Sequence, residues 1–149
     1  MAKGKASARD AQVVLELYDL RRETVLRAAR KFMVSDFWPG AYEEFRVLLT
    51  EYGSERNAWA RQCLTYWDMA AALVVQGALD EQLFFATQNE LYFLAAKYGH
   101  HLAQFRKEMG NPEFMQNFEA LATRPYARSR MKHLRARIEA RYAALNAGK

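Results

Sequence analysis

Apolar positions recur every three or four residues along nearly the whole chain, so the pattern predicts helices throughout. The first is expected over about Ala8 to Val34, with Val14, Leu17, Val25, Ala28 and Phe32 on its inner face. It stops near "SDFWPG", where Pro39 restricts Trp38 to extended backbone and Gly40 permits a turn. A second helix, about Ala41 to Tyr52, presents Phe45, Leu48, Leu49 and Tyr52 and ends at Gly53. Ser54 reads as the N-cap of a third, about Glu55 to Gln76, which buries Trp59, Cys63, Tyr66, Trp67, Ala70, Leu73 and Val74. Gly77 then reads as a C-cap followed by apolar Leu79, and Asp80 as the next N-cap, so the third and fourth helices should form a hairpin or corner. The fourth region covers about Glu81 to Met109; "ATQN" permits a break near Asn89 without demanding one. Gly110 and Pro112 end it, and a short helix follows from about Glu113 to Ala122.

The last helix starts after Pro125. Ala127, Met131, Leu134, Ile138, Tyr142 and Leu145 form one apolar stripe. At about 100° per residue, Arg130, Arg137 and Arg141 border one side, and Arg128, Lys132 and Arg135 the other. The expected fold is therefore all-α: one irregular bundle of about six helices filling a single domain, residues 1–149. Residues 1–7 are expected to be flexible and 146–149 frayed.

Length supports one core, since a chain of 149 residues buries roughly 68–70% of its extended surface. The charge is uneven. Residues 1–35 carry a net +4, residues 36–123 a net −6, and residues 124–149 a net +7. Basic ends beside an acidic middle favour contact between them, within one chain or between chains. A single Cys63 excludes an internal disulfide and a cysteine-built zinc site. The longest unbroken apolar run, Met69 to Val75, is far short of the roughly 20 residues that span a bilayer. "MAKGKASARD" has no apolar core of a secretory signal, so a soluble cytoplasmic protein is expected.

Candidate chemistry is sparse. His100 and His101 are adjacent and point about 100° apart on a helix, so they do not chelate together. No HExxH or ExxH pattern is present, and the scattered glycines build no phosphate loop. Glu108 could share a face with His101, but solvated or structural roles are the commoner ones; His133 should be exposed. Cys63 sits at an apolar phase and reads as a buried small hydrophobe. Asp68, near the start of the least polar stretch, shares a polar stripe with Arg61, Thr65 and Gln76, so a place on that stripe is expected rather than a reactive pocket. No metal or cofactor is expected. Trp38, in a loop, either caps the core or anchors a partner.

"LYDLRRE" at Leu17 to Glu23, "YWDMAAALVVQGALDEQLFF" at Tyr66 to Phe85 and "LYFLAAK" at Leu91 to Lys97 together resemble an uncharacterised family of small helical bacterial proteins, a domain of unknown function. The resemblance covers about half the chain. It implies an all-helical fold and transfers no activity.

The first functional expectation is a non-enzymatic interaction module that self-associates or scaffolds a protein partner. The second is binding of nucleic acid or another acidic partner through the basic last helix, by Arg128, Arg130, Lys132, Arg135, Arg137 and Arg141. In other arrangements of the last helix its apolar stripe meets its counterpart in another subunit, or the stripe docks on the bundle while those arginines only pair with acids such as Glu43, Glu44, Glu51 or Glu55.

Overall fold

The computed structural model describes residues 5–149, and every helix or strand assigned among them is a helix. In chain order they are α1 Ala8–Arg21, α2 Thr24–Lys31, α3 Tyr42–Thr50, α4 Glu55–Val75, α5 Glu81–Thr87, α6 Asn89–Tyr98, α7 Leu102–Met109, α8 Gln116–Ala122 and α9 Arg128–Ala147. The all-α expectation holds. The helices outnumber the six expected because two long runs are broken.

The first break is made by a side chain. Glu23 accepts the backbone N–H groups of Val25 at 3.0 Å and Leu26 at 2.8 Å, and so caps α2. Glutamate in that role leaves no glycine or proline signature. The break resets the helical phase: Val25, expected inside, is 51% exposed, while Leu26 and Ala29 are buried. The second break falls at Gln88, whose φ of −118° and ψ of 76° separate α5 from α6, next to the expected Asn89. A 3₁₀ turn, Gly99–His101, then separates α6 from α7. Tyr52 is also a correction. It lies past the end of α3 and is 69% exposed, not on an inner face.

The expected caps are present. Ser54 accepts the Asn57 N–H at 3.0 Å, and Asp80 accepts that of Leu83 at 2.8 Å. Gly77 takes a φ of 81°, the left-handed conformation that glycine adopts without a Cβ penalty. Ala78 N–H then reaches Leu73 O at 2.8 Å and Gly77 N–H reaches Val74 O at 3.0 Å, which closes α4, and Leu79 tucks into the core. Residues 1–4 lie outside the described part, but Ser7, expected to be flexible, is ordered as the cap of α1 in a reciprocal pair with Asp10. At the other end α9 stays helical to Ala147, past the expected onset of fraying.

α4 and α6 form the centre. Ala60, Cys63, Trp67, Ala70 and Ala71 of α4, and Leu91, Tyr92 and Leu94 of α6, are fully buried. Even Asn57 is enclosed; it donates to Leu48 O at 3.0 Å and accepts from Arg61 at 2.9 Å, so its polar atoms are matched. The basic ends and acidic middle meet within the chain. Arg30 of α2 grips Glu90 of α6 at 2.7 and 3.0 Å, and Arg124 meets Glu81 at 3.0 Å. α9 lies along α6, with Ala127, Met131, Leu134 and Ile138 buried beneath it.

Candidate functional site

The basic residues of α9 separate into two kinds. Arg130 is part of the structure: its guanidinium donates to Phe85 O at 2.6 Å and stacks 3.6 Å from the Phe85 ring centroid. Arg128, Lys132, Arg135, Arg137 and Arg141 are exposed. None of the five enters an ion pair among the described residues. Three of the four acids named above for them have other partners. Glu43 pairs with Arg46, Glu51 with Arg56, and Glu44 turns back to the Ala41 N–H at 3.2 Å. The apolar stripe docks on the bundle as expected, but the arginine pairing that went with it is not formed with these acids.

Trp38 caps the core. Its indole N–H donates to Ser35 O at 2.9 Å, and its ring meets Tyr142 of α9 edge-on at 5.3 Å. Tyr142 in turn donates to Pro39 O at 2.8 Å, which ties the second half of α9 to the 38–39 loop. Arg141 lies 6.0 Å from the Trp38 ring centroid, at the edge of cation–π range.

Beneath Trp38 is a residue that the sequence pattern does not reveal. Lys97 is fully buried. Its Nζ donates to Met33 O at 2.9 Å and Val34 O at 3.2 Å, and lies 3.7 Å from the Trp38 ring centroid. These carbonyls are available because Phe32–Asp36 is wound as a π-helical turn, with Phe37 N–H reaching back to Phe32 O at 2.9 Å. Tyr98 donates to Met33 O as well, at 2.5 Å. Burial pushes the Lys97 amine down to about 7; two carbonyls and an aromatic face act against that penalty by holding the ammonium. The amine is a strut between α6 and the turn after α2. The one hint in the sequence is that Lys97 closes an uncharged run, Leu91 to Ala96.

The residues with potential for chemistry are engaged elsewhere. Asp68 is half-buried and accepts the Phe118 N–H at 2.8 Å and Asn117 Nδ2 at 3.4 Å. Cys63 is buried, and desolvation pushes its thiol well up. His101 stacks on Phe45 at 5.1 Å, and desolvation lowers it to about 4. Glu108 turns to Tyr42 and Gln104, at 2.6 and 3.1 Å. His133 is exposed, as its phase predicts. Among the described residues no three His, Cys, Asp or Glu side chains gather as a metal site.

A second surface was not singled out by the sequence pattern. α1 docks through Val13, Val14 and Leu17, yet Leu15 and Tyr18, three residues apart on its outer side, are 67% and 53% exposed. Leu20, 51% exposed, lines a shallow groove with Tyr66 and Met69 of α4.

These features define an all-helical protein, and no helix among the described residues is long and apolar enough to cross a membrane. Residues 6–124 match the sequence model of a family described as a domain of unknown function, DUF4760, and the chain belongs to that family. The match takes in α1 to α8 and stops just before Pro125, so basic α9 lies outside it. No curated protein and no solved structure matches the chain.

Proposed function

We propose that this protein is a non-enzymatic interaction module that associates with copies of itself through the outer face of α1. The observation that carries this reading is Leu15 and Tyr18 standing exposed on a helix whose inner face is already satisfied. Exposed apolar clusters of this kind mark contact surfaces, and tyrosine is enriched in them. The stripe of α9, the other candidate, is consumed by the bundle. A two-fold pairing would bring the same two side chains together from both copies.

Magnitudes set the strength. An apolar side chain gains roughly 1.5–3 kcal/mol on full burial. These are already about half covered, so the four in a pair contribute on the order of 3–6 kcal/mol. Association costs about 4–15 kcal/mol. The expectation is a weak, reversible dimer. Light scattering on the eluting protein tests it: apparent mass should rise with loading, and Leu15→Glu with Tyr18→Ser should hold the mass at one chain. A mass that is the same for both proteins at every loading refutes the reading.

A second reading rests on a different observation: five exposed cations on α9 with no ion-pair partner among the described residues. Here α9 receives an anionic partner such as nucleic acid, and binding should weaken steeply with salt.

A further inference from the structure

Between α6, α8 and α9 the structure leaves a cleft of about 560 Å³, within the roughly 300–1,000 Å³ of small-molecule sites. It exists because Ala95, Ala96 and Ala122 are too short to fill the space between the helices. Phe118, Met131 and Ile138 complete apolar walls. α8, which brings Phe118 and Ala122, is held in place by the Asp68 carboxylate at its first turn. The mouth is polar. Lys97 and His100 line the cleft as well, but the Lys97 amine is held by the Met33 and Val34 carbonyls. Glu119 is occupied by Arg106 at 2.9 Å. Arg135 lines the cleft, is exposed and has no ion-pair partner among the described residues. Glu139, one turn further along α9, lines it too.

We infer that this cleft binds a small amphipathic monoanion, a medium-chain carboxylate, with its apolar chain against the alanine floor and its head group on Arg135. An apolar chain gains about 0.8 kcal/mol per buried CH₂, and the uncommitted guanidinium offers a bidentate seat for one carboxylate. Arg135 sets the sign of the head group and Glu139 limits its charge: a second negative charge would meet a carboxylate one helical turn from the arginine. A neutral alcohol would leave the guanidinium unused. The ligand class follows from this charge arrangement and is separate from the α1 face, so a monomer would bind equally well.

The test is calorimetry with decanoate, decanol and decyl phosphate, each below its micelle concentration. Decanoate should bind one per chain, more tightly than the other two. Arg135→Gln, an exposed substitution with no partner to lose, should weaken decanoate about tenfold, the loss of one charge-assisted contact, and leave decanol unchanged. Ala122→Leu should fill the cleft and abolish binding of all three; if it fails to fold, the Arg135→Gln comparison decides alone. No saturable decanoate binding, equal affinity for decanol, or an unchanged decanoate affinity in Arg135→Gln would each overturn the assignment.

Discussion

The Asp68 carboxylate on α4 accepts the backbone N–H of Phe118, 2.8 Å away and 50 residues later in the chain, and so caps α8 from another helix. α8 has no cap of its own. Met115 precedes it in the left-handed conformation, with a φ of 57° and no side-chain hydrogen bond to the helix. Phe118 is at the third helical position, where a local Asp or Ser side chain would ordinarily bond. Asp68→Ala should therefore destabilise the protein by about 1–2 kcal/mol, the usual cost of losing an N-cap. Asp68→Asn, which keeps an acceptor oxygen, should cost less. Urea denaturation of the two variants checks this; no loss in either would return Asp68 to the role of a solvated stripe residue.

Glu90 joins three helices. It receives Arg30 of α2 through two hydrogen bonds and the Trp67 indole of α4 at 3.0 Å. Its side chain is 16% exposed and that of Arg30 25%, so water screens the pair only partly. Removing one partner leaves the other charge under-solvated, which costs about 3–5 kcal/mol in full burial and about 2–3 kcal/mol with this exposure. Glu90→Ala should lose that amount. Arg30→Ala made in the Glu90→Ala background should then cost much less than it does alone. A thermodynamic cycle from the four denaturation curves measures the coupling, and simple additivity would show that the pair is inert.

His101 predicts a pH dependence. Desolvation lowers it from 6.5 to about 4, so the fold holds it neutral. Above pH 6.5 the unfolded chain is neutral as well, and the contribution is fully present. As pH falls from about 6.5 towards 4 the unfolded chain takes up a proton that the folded chain refuses, and stability drops by at most about 1.4 kcal/mol per pH unit. His100, at a ring distance of 3.9 Å, is lowered in the same direction and adds to the slope. Between pH 7.5 and 5, His101→Phe, which keeps the stack on Phe45, should lose less stability than the wild type. An identical loss would assign the acid sensitivity to other groups.

The exposed cations of α9 carry a prediction of their own. With Arg128, Arg135 and Arg137 changed to Glu, any affinity for a DNA duplex should fall, and so should its dependence on salt. For a duplex the slope of log affinity against log salt is about −0.9 per phosphate contacted. Because these side chains have no ion-pair partner among the described residues, thermal stability should hardly change. Fluorescence anisotropy across a salt series measures both quantities; a slope unaltered by the three substitutions would remove α9 as an anion-binding surface.

Local signals carried much of the fold. Ser54, Asp80, Gly77 and Gly110 punctuate the helices where their capping chemistry predicts, and the stripe Met131, Leu134 and Ile138 is buried as its spacing requires. What stayed hidden depends on residues far apart in sequence. Asp68 reads as a stripe residue until α8 arrives beside it. Lys97 reads as a charged helix end until the π-helical turn offers its carbonyls. Arg130 looks like its neighbours on α9, and only the position of Phe85 shows that it is taken. Glu23 is a local exception: capping by Glu is uncommon enough that an unbroken α1–α2 helix is the natural expectation.

Sedimentation velocity over a dilution series from hundreds of micromolar to below one micromolar decides whether the chain self-associates through α1. The wild type should move from a faster to a slower boundary on dilution, with fast exchange between them, and the Leu15→Glu, Tyr18→Ser protein should sediment as one chain throughout. A wild type that sediments as one chain across the whole series would contradict the claim.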